Sequence, residues 1–232
     1  MLFLRKLPSL LLLVCSCSAF AQTVAPVIVE YKGKAEGRIS LVNNTTVPMA
    51  VVLEPQSFSI TPEGKGIYRP LDPGIHVKLS AMSFRIDPGQ TYYVFYTATA
   101  DKLPAWFTVY SIFSSAQHRT GLDVRILLPH TIYIYPKKLK GKENIQLTKA
   151  VYEPKSGKII CDLENNTADL TRVQELRVSG ADKSSASAAG FPLLPGGRRH
   201  VEVSWSENQP PQVVMLKLEH STIKQDISTS DQ

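Results

Sequence analysis

The chain has 232 residues, with 26 Lys and Arg against 20 Asp and Glu. That formal charge of +6 is mildly basic: it favours acidic surfaces without demanding nucleic acid as a partner. Sixteen prolines argue against long helices, and three cysteines are too few for a disulfide framework.

The first 21 residues read as an export signal. Arg5 and Lys6 form a basic start, Leu10 to Val14 an apolar core, and Ala19-Phe20-Ala21 a small-x-small cleavage site before Gln22. The apolar run is shorter than the roughly 20 residues a membrane span needs, and no later stretch qualifies. Removing residues 1–21 takes Arg5 and Lys6 with them, leaving 211 residues and a charge of +4. Cleavage there also removes Cys15 and Cys17, so Cys161 has no internal disulfide partner. An alternative is a poor lipobox, Val14-Cys15-Ser16-Cys17, with a lipid on Cys17. Either way the expected location is outside the cytoplasm.

Beyond the signal, strand patterns dominate. Ile39 and Leu41 alternate with polar residues, as do Val77 and Leu79, then Phe84 and Ile86. Tyr92 to Ala98 and Trp106 to Phe113 are β-branched or aromatic runs of strand length. Asn43-Asn44, Asp87-Pro88-Gly89 and Lys102-Leu103-Pro104 supply turn chemistry between them. No window shows a sustained helical stripe. The expected fold is all-β, and 211 residues suggest two domains.

The chain also resembles itself. Gly37-Arg38-Ile39-Ser40-Leu41-Val42-Asn43-Asn44-Thr45 recurs loosely over Gly157 to Thr167, and Phe84-Arg85-Ile86-Asp87-Pro88-Gly89 recurs as Phe191-Pro192-Leu193-Leu194-Pro195-Gly196. The order of parts repeats, which predicts two copies of one sandwich. Common turn dipeptides would produce the same match by coincidence. The basic stretch Lys137 to Lys142 marks the boundary. The expected domains are residues 24–136 and 142–222, each immunoglobulin-like, followed by a polar, frayed tail over 223–232. Ser184 to Gly190 is small and polar, and is expected to be a mobile loop.

Catalytic and metal motifs are missing. His76, His118, His130, His200 and His220 have no metal-ligand spacing and read as surface or strand histidines. No Gly-x-Ser-x-Gly elbow and no phosphate loop occur. Arg198-Arg199 reads as a solvated hairpin end, and Trp106 and Trp205 as core residues. Asn43, Asn44 and Asn165 each begin a glycosylation sequon, which turn-forming asparagines explain equally well. The expectation is a protein without cofactor or metal that is not an enzyme.

In its ordered motifs the chain resembles the periplasmic chaperones of pilus assembly, the PapD-like family, over nearly all of residues 22–232. Ile39-Ser40-Leu41-Val42-Asn43-Asn44 is similar to that family's second strand and Asn turn. Phe84 to Gln90 is similar to its Pro-Gly turn, and Lys102-Leu103-Pro104 to its Leu-Pro loop. Leu122-Asp123-Val124-Arg125-Ile126-Leu127-Leu128, ending in Ile132 to Pro136, is similar to the last strand of its first domain. Leu193-Leu194-Pro195-Gly196-Gly197 is similar to a turn of the second domain.

The resemblance implies two immunoglobulin-like sandwiches and a mechanism of strand donation, without ATP, to an unfinished pilus or surface-fibre subunit. It implies a subunit partner and an outer-membrane usher. The donor residues it implies are Leu122, Val124, Ile126 and Leu128, which share one face of a strand. Burying each is worth roughly 1.5–3 kcal/mol, before ordering costs. On spacing alone the same four residues fit the inward face of an ordinary sandwich strand. The basic pair with which the family holds a subunit's terminal carboxylate maps near Val27 and Thr131, and neither is basic. Lys32, His130, Lys137 or Lys138 are the candidate substitutes for that pair. The Glu-Ser-aromatic pattern after the Leu-Pro loop is replaced by Ala105-Trp106-Phe107-Thr108. A structural or adhesive two-domain protein without chaperone activity is the alternative.

Overall fold

The structure is a computed structural model and describes residues 22–115, 124–138 and 144–230. Among these residues every regular element is a strand, and no helix is long and apolar enough to cross a membrane.

The first half contains β1 (Thr23–Ala25), β2 (Ile28–Lys32), β3 (Ala35–Val42), β4 (Met49–Ile60), β5 (Gly66–Pro70), β6 (Ile75–Leu79), β7 (Ser83–Ile86), β8 (Thr91–Ala100), β9 (Ala105–Ser115) and β10 (Arg125–Tyr135). They form two facing sheets, β1-β3-β8-β6 and β2-β10-β9-β4-β5, with β7 also on β4. The second half contains β11 (Ile145–Glu153), β12 (Lys158–Asn165), β13 (Thr171–Gly180), β14 (Ser185–Leu193), β15 (Arg198–Ser204), β16 (Pro211–Lys217), β17 (Thr222–Asp226) and β18 (Ser228–Thr229). Its sheets are β15-β12-β11-β18 and β14-β13-β16-β17. The architecture is two β-sandwiches, as the strand patterns predict.

Alternation drives each strand into place. On β8, Val94, Tyr96 and Ala98 turn inward while Tyr93, Phe95 and Thr97 face out. On β12, Ile159, Cys161 and Leu163 are sealed in the second core. Each sandwich has its own apolar cluster: Ile39, Leu41, Val51, Leu53, Phe107, Phe113, Ile132 and Ile134 anchor the first, and Ile159, Leu163, Val173, Leu176, Val214 and Leu216 the second.

The sequence repeat corresponds to a repeated polar staple. Buried Asn43 donates from Nδ2 to the carbonyls of Val47 and Ile86, and accepts at Oδ1 from the N–H and Oγ1–H of Thr45. Asn165 repeats this with the carbonyls of Asp169, Leu193 and Leu194 and with Thr167. Each asparagine ties its own turn to a Pro-Gly turn, closed by Gln90 N–H to Asp87 O (3.1 Å) and Gly197 N–H to Leu194 O (2.9 Å). Gly89 and Gly196 sit at φ +70° and +65°, the left-handed position that a type II turn reserves for glycine. A buried asparagine must satisfy its amide internally, which is why the Asn-x-Thr pattern accompanies the turn twice.

Several sequence expectations are corrected. The Ser184–Gly190 segment lies almost wholly in β14, paired with β13 from Ser179↔Ser185 to Thr171↔Leu193. Small side chains lack strand propensity, but pairing with β13 supplies the backbone partners. The segment from residue 223, expected to fray, forms β17 on β16 and β18 on β11, and Ile223 and Ile227 pack against the second core. Trp205 is a core residue, but Trp106 is half-buried outside both main cores, donating to Phe58 O at 2.8 Å.

Between the sandwiches lies a third apolar cluster. Phe58 and Tyr133 of the first half meet Leu170 and Leu194 of the second, with Ile60, Trp106 and Tyr135 around them. Arg172 on β13 reaches across to Glu30 on β2 at 2.7 Å and lies 5.8 Å from the Tyr133 ring centroid. Arg199, expected to be solvated, is half-buried with its guanidinium 5.1 Å from the Phe191 ring centroid, and its neighbour His200 donates its N–H to Pro62 O.

Candidate functional site

The site begins where the N-terminal strand changes sheets. β1 pairs with β3 in one sheet, and β2, beyond Pro26, runs parallel to β10 in the other. That pairing covers β10 only from Thr131, opposite Ile28, to Tyr135. Toward the start of β10, β9 is the only strand partner among the described residues.

The direction of the exposed backbone follows from one hydrogen bond. Thr131 gives its N–H to Val27 O at 2.7 Å, so odd-numbered residues of β10 turn their backbone groups toward the β2 side. In an antiparallel pair that direction alternates along the strand. The N–H and C=O of Leu127 therefore point away from β9, past the end of β2, where no described strand pairs with them. An open edge of this kind is a template for a strand from another chain.

Side chains there divide by parity. Of the expected donor residues, Leu122 lies outside the described residues. Val124 is 52% exposed. Ile126 and Leu128 are half-buried and pack against the first core. The structure thus holds Ile126 and Leu128 on one face at the rim of the sandwich, between full burial and full exposure. Leu127, on the opposite face, is 53% exposed and lies outside the expected donor set, which follows the even positions.

Val27 and Thr131 do stand side by side, as the register expects, and both are neutral. Val27 and Ile28 are about half exposed, and the hydroxyl of Thr131 bonds that of Thr108 at 3.0 Å. His130 does not replace a cation here: it is fully buried, with Nδ1 2.5 Å from Pro26 O and Nε2 3.2 Å from the Tyr96 hydroxyl. Desolvation holds its pKa below the ordinary histidine value. Tyr96 in turn bonds Tyr31 at 2.7 Å. The parity of the strand contained the signal, since His130 shares a face with Ile132 and Ile134.

Elsewhere, an open cavity of about 350 Å³ lies at the end of the first sandwich, lined by Asp72, Ile75, Asp101, Lys102 and Trp106. Asp72 is held by Arg69 and Asp101 by His76. No group of three metal-ligating side chains occurs among the described residues. Asn43 and Asn165, being buried, present no amide for a glycan in the folded chain.

No family model matches the chain, and no characterised protein matches it by sequence. Solved structures do match. A chain of the Salmonella enterica complex of the SafA pilin with the SafB chaperone has a TM-score of 0.55 at 13% identity, over 89% of this chain and 96% of that one. The YadV chaperone has a TM-score of 0.54 at 12% identity, over 88% and 98%. A chain of the chaperone–tip adhesin complex of CFA/I fimbriae gives 0.52 at 13%, over 89% and 98%. The fold is that of the PapD-like fimbrial chaperones, shared along nearly the whole chain.

Proposed function

We propose that the protein is a periplasmic, ATP-independent chaperone for pilus or other surface-fibre subunits, which it holds by lending them the β10 edge. It acts by binding and catalyses no reaction. The observation that carries this reading is the open edge near Leu127, with Ile126 and Leu128 on one face beside it and Val124, exposed, just ahead of the strand. Residues 1–21 export the chain, and an outer-membrane usher receives the complex. Two structures of this fold, solved with a pilin and with a tip adhesin, support the class of client. Backbone bonds to β10 supply affinity, and the apolar side chains beside them fill the client's missing core.

The half-burial of Ile126 and Leu128 favours the second reading, a structural sandwich protein whose last first-domain strand serves its own core. Val124→Asp separates the two, because Val124 is exposed and its loss leaves the first core intact. Tagged wild-type protein isolated from its own host should bring a small secreted partner in one-to-one ratio, and the variant should bring roughly tenfold less or worse. Both should melt within a few degrees of each other. Equal recovery by the variant sinks strand donation through this face. Clean monomer from cells expressing fibre subunits sinks the chaperone reading.

A further inference from the structure

The cavity at the end of the first sandwich arises where two strands part. β4 and β9 pair as far as Gln56↔Thr108, and continuing that register would set Phe58 against Trp106. Instead β4 leaves β9 and runs on with β5, from Phe58↔Tyr68 to Ile60↔Gly66. The turn beyond is held by the second sandwich, through His200 N–H to Pro62 O at 2.7 Å. The Trp106 indole bridges the split by donating to Phe58 O. One part of its ring packs on the cluster of Phe58 and Tyr133, and another part lines the cavity.

Two turns form the remaining walls, and both are tied down. The turn after β5 closes with Ile75 N–H to Asp72 O at 2.9 Å, and Asp72 N–H is anchored on the buried Ser57 hydroxyl at 2.9 Å. The turn after β8 is joined to it by Asp101 N–H to Gly74 O, also at 2.9 Å. The cavity is therefore preformed, and its volume of about 350 Å³ lies at the small end of ligand sites.

The lining has two characters. Trp106, Ile75 and Pro104 are apolar, whereas Asp72, Asp101 and Lys102 are charged. Arg69 holds Asp72 through Nε at 3.1 Å and Nη2 at 2.8 Å, and His76 Nε2 lies 3.0 Å from Asp101 Oδ1. These contacts fix the carboxylates without saturating them, because an ionised carboxylate accepts about four hydrogen bonds. The charges of Asp72 and Asp101 are matched by those of Arg69 and Lys102, so the cavity favours neither a cation nor an anion. A wholly apolar ligand would strip water from the carboxylates and return nothing. The ligand that fits is neutral, with an apolar face for the indole and hydroxyls around its rim.

We propose that the cavity binds a neutral pyranose sugar: the C–H face of the ring lies on Trp106, and its hydroxyls donate to Asp72 and Asp101 and accept from Lys102. The site stands at the other end of β9 from Ile112, the partner of Leu127, and does not depend on strand donation by β10.

Nuclear magnetic resonance of the full mature chain tests it. There are two tryptophans, and the second, Trp205, is buried in the other sandwich with its indole N–H on Gln209 O. The two indole N–H signals, assigned with Trp106→Phe, are followed while glucose, galactose, N-acetylglucosamine, cellotriose, maltotriose and glucuronate are added in turn. The Trp106 signal should move saturably with at least one neutral sugar while the Trp205 signal stays still. The Asp101 side chain is 68% exposed, so its truncation disturbs neither core. Asp101→Ala should bind that sugar at least tenfold more weakly at an unchanged melting temperature. A trisaccharide that binds tenfold tighter than its monosaccharide assigns the site to the end of a glycan chain, and equal affinities assign it to a free sugar. The inference is overturned if no neutral sugar moves the Trp106 signal, if Asp101→Ala binds as well as the wild type, or if glucuronate binds more tightly than glucose.

Discussion

At the scale of single residues, His130 shows how a polar group is accommodated in a β-core. Its Nδ1 faces the Pro26 carbonyl, which only accepts, so Nδ1 carries the proton. Nε2 then accepts from the Tyr96 hydroxyl, and Tyr31 donates to Tyr96. A second proton on the ring would remove the acceptor at Nε2 and bury a charge. The folded chain therefore holds His130 neutral below the pKa of about 6.5 that it has when unfolded. Between the lowered folded value and 6.5 the unfolded state binds the extra proton, so stability from this group is complete above 6.5 and falls as the pH drops through that window. Chemical unfolding from pH 7.5 downward should show a steeper loss for the wild type than for His130→Asn, which keeps an N–H for Pro26. Parallel slopes would mean that other groups dominate. Cys161 is a buried, unreactive filler by comparison: it occupies a position at which alternation calls for an aliphatic side chain.

At the scale of elements, what the sequence made legible depended on whether a strand declares itself through its own side chains. β3, β8, β9 and β12 do so by alternation. The two Asn-x-Thr turns and Pro-Gly turns do so because buried asparagine and positive φ each demand particular residues. β14 is rich in serine and alanine, so its strand character comes from β13, which is distant in sequence information though adjacent in the fold. β17 and β18 are polar and short, and they too exist by pairing. The free edge at Leu127 was equally hidden, because it depends on where β2 stops, and a strand's own residues do not record the length of its neighbour. If β17 and β18 are structural, a chain ending at Ser221 loses the pairing of β16, the cover of Ile223 and Ile227, and the bond from Ser230 N–H to Tyr152 O. Its second sandwich should melt several degrees below the full chain, by the usual conversion of a few kcal/mol into melting temperature. An unchanged melting curve would return the segment to the status of a tail.

At the scale of the whole molecule, the two sandwiches are coupled by side chains that belong to neither main core. Phe58 and Tyr133 form an edge-to-face pair 6.2 Å apart, against which Leu170 and Leu194 pack from the other half. The Arg172–Glu30 ion pair stands beside them, about a third exposed, and contributes at most about 1 kcal/mol by the usual worth of such pairs. The apolar cluster therefore carries most of the coupling. Long-range contacts of this kind have no periodicity in the sequence, and Tyr133 and Trp106 read there as ordinary strand aromatics. Leu170 lies between β12 and β13, 3% exposed, and its cluster is separate from the second core. Leu170→Asp would place a carboxylate against Phe58 and Tyr133 while leaving both sandwich cores filled. Burying that charge unpaired costs several kcal/mol, more than one interface cluster supplies, so the halves should separate instead. In calorimetry the wild type should then show a transition that splits into two in the variant, with the β10-bearing half retaining its own melting temperature. Client binding supplies the second readout. If the subunit contacts only the first sandwich, the variant binds as well as the wild type, whereas a client that spans both halves loses affinity when they are no longer held together. A single cooperative transition in the variant would mean that the two sandwiches are joined by more than this cluster.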